Sequence, residues 1–193
     1  FRGLKQISGA DDVQRCVIKA IKHDIVIISM HTNMDNVQGG VNWKIAEKLQ
    51  LLQPRFFAQK QVGDLAAGSG VIGQLPGPLA AREFVALLKE RFHVACVQCN
   101  QLLERPVSTV AICGGAGDFL LPEALSLRAD AFITGEMHYH QYFGYEQRLQ
   151  ICVIGHYQSE QYTAEIFRDI IREACPGVRT VMAETNTNPI EYL

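Results

Sequence analysis

Along the chain, stretches with apolar residues three or four apart alternate with short unbroken apolar runs. Asp11 and Asp12 are suited to cap a helix, and Val13, Cys16, Val17, Ala20 and Ile21 then fall on one helical face. Asp24 leads into IVIISM, a short β-branched run bounded by polar residues, which predicts a buried strand. The loop HTNMDNVQGG follows, and Asn42 is suited to start a helix from Trp43 to Leu52. Residues 53–78 contain Pro54, Gly63, Gly68, Gly70, Gly73, Pro76, Gly77 and Pro78. So many breakers predict a linker, an insertion point or a domain junction.

The second half repeats the alternation. The pattern predicts a helix over 79–92, a strand over 93–99 and another over 107–113 (VSTVAIC), followed by the turn Gly114-Gly115-Ala116-Gly117. A short helix is expected over 118–127, with Pro122 tolerable only near its first turn. Then come a strand over 130–134, the loop GEMHYH, a helical segment near 140–149 and a strand over 151–154. A long amphipathic helix carrying Tyr162, Ile166, Ile170 and Ala174 ends at Cys175-Pro176-Gly177, and 178–183 reads as a last strand. Strands alternating with helices predict a mainly parallel sheet with helices on its faces.

Composition narrows this little. The chain has 193 residues, 48% of them hydrophobic, with 18 basic and 20 acidic side chains and a formal net charge of −2. That excludes a disordered polyelectrolyte or a collagen-like repeat, and no apolar stretch approaches the roughly 20 residues of a membrane-spanning helix. Near-zero charge makes a broad grip on nucleic acid unlike this chain, and no membrane partner is expected. Cys16, Cys113 and Cys152 lie in apolar runs, as small buried hydrophobes do. Cys96-x-x-Cys99 lies in HVACVQC, which alternates like a strand and lacks a second pair to support zinc. Reduced thiols and a cytoplasmic, soluble protein are the expectation.

Two loops share one design. IVIISM is followed by His31 and, four residues on, Asp35; ICVIG is followed by His156 and, four residues on, Glu160. That offset lets both side chains of a unit point to one side. Loops after strand carboxyl ends are where open α/β sheets bind ligands. Imidazole and carboxylate together suit Zn, Mn, Fe or Ni. A third strand runs into Gly135-Glu136-Met137-His138-Tyr139-His140, with Glu136 placed to support a ligand and His140 favoured over His138. His23 and His93 read as ordinary solvated histidines. The Gly114–Gly117 turn has donors enough for a phosphate but matches neither the dinucleotide fingerprint nor the P-loop, so a tight turn is the better reading.

HTNMDNVQGGVN, VAICGGAGDFLLPEAL, ADAFITGEMHYH, IGHYQSEQ and the ending NTNPIEYL resemble, in order, the signature blocks of the Ngg-interacting-factor-three family. Its members are often labelled GTP cyclohydrolase I type 2. The resemblance implies α/β architecture: two intertwined, related α/β repeats with mixed, mainly parallel sheets and flanking helices. On this chain they would fall at 1–53 and 79–193, joined at 54–78, where longer members insert a small PII-like domain. It further implies ring-like homohexamers with a dinuclear metal centre, hence two divalent metal ions per subunit. By motif, Asp35, His156 and Glu160 correspond to metal ligands, Glu160 as a bridge between metals. His31 and His140 correspond to residues at or lining the site, placed for proton transfer. The family's paired His-His-Pro block stands just before a segment resembling FRGLK, so an N-terminal segment with further ligands is expected ahead of Phe1.

The function implied is metal-assisted hydrolysis of an unidentified small-molecule substrate. The alternative is a non-enzymatic metal-containing ring acting as a protein-interaction or regulatory factor.

Overall fold

The computed structural model describes residues 3–62 and 65–191, with side chains described throughout except at 60–62 and 65. Gly63, one of the breakers noted above, lies outside these. The chain packs as two units, one ending at His31 and one starting at Thr32.

The first unit is built on helix α1 (Asp12–Lys22). Asp11 caps it as expected, its carboxylate accepting from the Gln14 backbone N–H at 2.8 Å and from Gln14 Nε2 at 2.8 Å. Gln14 is itself buried, and its Oε1 accepts from the Ser8 N–H at 2.7 Å. Cys16 is exposed, not buried as its apolar neighbours suggested. The expected strand over IVIISM is absent: residues 25–30 have no regular secondary structure, and Val26 is 85% exposed. A strand needs a neighbouring strand to satisfy its backbone, and this run is given none among the described residues.

The second unit opens with α2 (Thr32–Asp35) and α3 (Val41–Lys48). Then come β1 (Leu52–Val62), β2 (Leu65–Leu79), α4 (Ala81–Phe92), β3 (Gln98–Cys99) and β4 (Val107–Cys113). A 3₁₀ turn at Asp118–Leu120 runs into α5 (Leu121–Ser126), followed by β5 (Ala131–Thr134) and a second 3₁₀ turn at Tyr139–Tyr142. The last elements are β6 (Gln150–Val153), α6 (His156–Glu160) and α7 (Thr163–Ala174). The six strands form one sheet in the order β1-β2-β4-β5-β6-β3. β4, β5 and β6 run parallel, whereas β1–β2, β2–β4 and β3–β6 are antiparallel, so the sheet is mixed and parallel pairing is confined to its middle.

Period-two alternation assigns each side chain of the central strands to one of two cores. Val110, Ile112, Ala131, Ile133 and Cys152 pack with Ile45 of α3, Phe84 and Leu88 of α4 and Ile166 of α7. Ala111, Cys113, Phe132, Ile151 and Val153 pack with Leu121 and Ala124 of α5. Helices thus cover both faces, and β5, β6 and the second half of β4 are buried for that reason.

Residues 54–62 and 65–78, where the breakers cluster, belong to strands β1 and β2, and three expected elements are corrected below. The breakers are accommodated locally: a Cβ on Gly68 would come 2.8 Å from Phe56 Cβ, and Gly70 has φ +74 beneath the Phe57 ring. Glycine in a strand here marks close approach, and Pro54 sits on an edge strand, where a missing N–H is tolerated. The helix near 140–149 shrinks to a 3₁₀ turn, since Gly144 at φ +85 turns the chain away. The strand expected over 93–99 shortens to Gln98–Cys99, and 178–183 is not a strand.

Candidate functional site

The site is built around the turn that follows β4. Gly114 N–H donates to Asn42 Oδ1 (2.8 Å), Gly115 N–H to Ser159 Oγ (2.9 Å) and Gly117 N–H to Thr134 Oγ1 (3.1 Å). The Gly115 carbonyl accepts from Thr134 Oγ1 (3.2 Å) and from the N–H groups of Gly135 (2.9 Å) and Glu136 (3.1 Å). These three glycine amides are therefore committed to protein partners, which favours the tight-turn reading over a phosphate cradle. The ends of β4 and β5 and helix α6 are interlocked through one residue, Gly115.

Asn42 does not start its helix: α3 runs Val41–Lys48 with Gly40 at its N-cap, not from Trp43 to Leu52, and the Asn42 side chain is turned to tertiary contacts instead. It is buried inside α3, and while Oδ1 holds Gly114, Nδ2 donates to the Asp35 carbonyl at 3.1 Å. One amide thereby ties the helix carrying Asp35 to the glycine turn.

β6 leads through Gly155, at φ +100, into α6. His156 and Glu160 are the first and last residues of that helix, so the expected four-residue offset brings them together, with Nε2 3.5 Å from Glu160 Oε2. The other ring nitrogen, Nδ1, lies 2.6 Å from Glu136 Oε1. A carboxylate can only accept there, so the contact orients the ring with Nδ1 toward Glu136 and Nε2 on the Glu160 side. Ser159 Oγ, accepting from Gly115, donates to the His156 carbonyl at 2.8 Å and fixes the helical turn. Gly115 has φ +62, and a Cβ there would overlap Glu160 Oε1, so the carboxylate occupies space that only glycine leaves open.

Asp35 ends α2, and its electrostatic influence reaches the same place. Burial first, and then the negative charges of Asp35, Asp118 and Glu160, push the Cys113 thiol from 9.0 up to about 12. Carboxylates distant in sequence thus converge on one buried sulfur. His140 lies in the exposed 3₁₀ turn, its ring edge-on to Tyr139 at 5.3 Å. Its turn is held by Gln141, which accepts from His138 N–H at 2.8 Å and donates to Asp118. His31 is described with the first unit.

His156 lines two cavities. One, of about 250 Å³, is bounded also by Cys96, Gln98, Glu136, Met137 and Ile190. The other, of about 360 Å³, is bounded by Tyr157, Glu160, Asn188 and Pro189. Among the described residues, no three His, Cys, Asp or Glu side chains stand close enough to form a full metal shell.

The fold and site define a class: a mixed-sheet α/β protein whose imidazole and carboxylates gather on loops at the carboxyl ends of parallel strands. Residues 1–189 match the family described as Duf34/NIF3 (NGG1p interacting factor 3), and the chain belongs to that family. It is 30% identical over 195 residues to a Clostridium perfringens protein named GTP cyclohydrolase 1 type 2 homolog, covering all of this chain and 74% of that one. It is also 30% identical over 171 residues to Protein NIF3 homolog of Schizosaccharomyces pombe, covering 83% of this chain and 60% of that one. A hypothetical protein from Staphylococcus aureus has the same fold, with a TM-score of 0.89 at 21% identity over all of this chain and 77% of its own. No helix among the described residues is long and apolar enough to cross a membrane.

Proposed function

We propose that this chain holds divalent metal, two ions per subunit, and serves as a metal-dependent hydrolase within a ring-like homo-oligomer. Asp35, His156 and Glu160 are the ligands in this reading. The observation that carries it is the two-sided setting of His156: Nδ1 lies 2.6 Å from the Glu136 carboxylate, and Nε2 faces a second carboxylate. A histidine whose outer nitrogen is bound to a carboxylate is the usual arrangement for a metal-ligating imidazole. The mixed nitrogen and oxygen donors fit Zn, Mn, Fe or Ni, and the space kept by Gly115 is where Glu160 sits.

Bound divalent cations supply Lewis acidity toward a carbonyl or phosphoryl oxygen and lower the pKa of water toward neutrality. The chain's own residues do the rest. Glu136 orients His156, Ser159 and Gly115 hold the turn that carries Glu160, and Asn42 anchors the helix of Asp35. His140 and His31 are the proton carriers of this reading, each following an apolar run or strand end as the shared design requires. The cavity bounded by Glu136, Met137, Gln98 and His156 is large enough for a small substrate group.

The test is a turnover screen of metal-loaded, full-length protein against GTP, simple phosphoesters and amides. The reading requires at least one hydrolysed substrate class, with activity lost in Glu160→Ala while far-ultraviolet circular dichroism is unchanged. A loaded protein that hydrolyses none of them overturns the enzyme and leaves the alternative, a metal-containing interaction factor of the kind that the name of the Schizosaccharomyces relative suggests.

A further inference from the structure

One pair of reactive groups stands outside the metal reading. Cys99 on β3 and Cys152 on β6 are direct partners in an antiparallel ladder, with their sulfurs 3.9 Å apart. Both are free thiols. Cα atoms of directly opposed antiparallel residues are about 4.5–5.5 Å apart, inside the span of about 4.4–6.8 Å that a disulfide bridges. The sulfurs need to close only to about 2.05 Å, a movement that side-chain rotation supplies. β3 is a two-residue strand at the sheet edge, paired on one side only.

The two cysteines are also differentiated. Cys152 is fully buried, whereas Cys99 is partly exposed. The hydrogen bond between the two sulfurs, aided by the Lys89 ammonium and opposed by partial burial, holds the Cys99 thiol below its ordinary value. The same hydrogen bond and burial push Cys152 well up. One sulfur is thus a reachable nucleophile and the other a protected partner, the division of labour of a redox pair.

We propose that Cys99 and Cys152 form a reversible intrachain disulfide, a redox modification site that pins edge strand β3 to β6. The oxidant is a peroxide. The Cys99 thiolate attacks one peroxide oxygen, the O–O bond breaks, and Cys99 becomes a sulfenic acid as hydroxide leaves and takes up the released thiol proton to give water. The Cys152 sulfur then attacks the sulfenic sulfur; the S–S bond forms, the S–O bond breaks, and the second water leaves carrying the Cys152 proton. Two thiols lose two electrons and one peroxide is reduced to two waters. A dithiol reductant reverses the step. The bond would lie one residue from Gln98 and Val153, a directly paired couple that lines the cavity beside His156, so oxidation stiffens that wall.

The experiment is mild peroxide treatment of the full chain, followed by thiol counting, intact mass and non-reducing peptide mapping. Free thiols are expected to fall from six to four, with the loss of two hydrogens, one Cys99–Cys152 linked peptide in most chains, and full reversal by dithiothreitol. Amide exchange at Cys99 slows in the oxidised form. Cys99→Ala and Cys152→Ala each abolish the link; because Cys152 is buried, Cys99→Ala alone decides the matter if the other variant fails to fold. Retention of all six thiols, or links that use the exposed Cys16, Cys96 or Cys175 while Cys99 and Cys152 stay reduced, overturns the proposal.

Discussion

Residues 25–28 and 151–154 are near-copies, IVII and ICVI, and each leads to a histidine with an acid four residues on. Their physical settings are opposite. Ile151, Cys152, Val153 and Ile154 are all buried, continuing from β5 pairing on one side and β3 pairing on the other. Ile25, Val26, Ile27 and Ile28 are exposed and unpaired. Glu160 lies against the imidazole of its own motif within α6, and Asp35 is anchored through its carbonyl by Asn42. An apolar run before a histidine therefore does not make a buried strand by itself. Neighbouring strands do, by fixing the backbone from which the loop departs.

The largest expected effect tests that difference directly. Ile151→Ala should lose about 2–5 kcal/mol of unfolding free energy, the range for a fully buried aliphatic side chain, whereas Ile28→Ala should stay within about 0.5 kcal/mol. Urea denaturation of the two variants reads this, and equal losses would break the comparison.

Next is the alkaline behaviour of the turn after β4. Because Cys113 is held up to about 12 against an ordinary 9.0, the folded state binds its proton more tightly than the unfolded state. That contribution is complete below pH 9.0 and is lost as pH rises toward 12, so stability falls across the window by up to one proton's linkage per pH unit. Cys113→Ala should remove this component of the slope, leaving a shallower decline. An unchanged slope would mean that the thiol is not shielded by burial and carboxylates.

Gly115→Ala and Asn42→Ala probe how tightly the second motif is held. The first puts a side chain at φ +62 and into Glu160; about 1–3 kcal/mol of stability should go, with displacement of the Glu160 carboxylate. The second leaves the Gly114 N–H without its acceptor and should cost about 1–3 kcal/mol. Smallest in stability is Glu136→Gln, which keeps the hydrogen-bonding shape but removes the charge beside His156 Nδ1. Zinc or manganese affinity should fall about 10–100-fold with little change in denaturation midpoint.

Much of this was legible in the sequence where local and long-range demands agree. α1 with its Asp11 cap, α4, β4, β5, β6 and α7 follow from periodicity because each buries the face or faces that its pattern marks. IVIISM was misread because a strand's existence depends on a partner that its own residues do not encode. β1 and β2 were not legible because glycines that break an isolated segment can equally make room for Phe56 and Phe57 in paired strands. At the site, the His156–Glu160 pair was readable from a four-residue offset. The Asn42, Ser159 and Thr134 contacts to the glycine turn were not, since they join residues far apart in the chain and involve polar types that serve equally well as caps or surface groups. A buried polar side chain within an apolar helical face, such as Asn42 between Val41 and Ile45, was the one available signal.

The most direct measurement is metal content after equilibration with zinc or manganese and removal of excess ion, compared across the unaltered protein, His156→Ala and Glu160→Ala. The metal reading predicts stoichiometric metal in the unaltered chain and loss of most of it in both variants, with folding retained. Full occupancy in Glu160→Ala would contradict it.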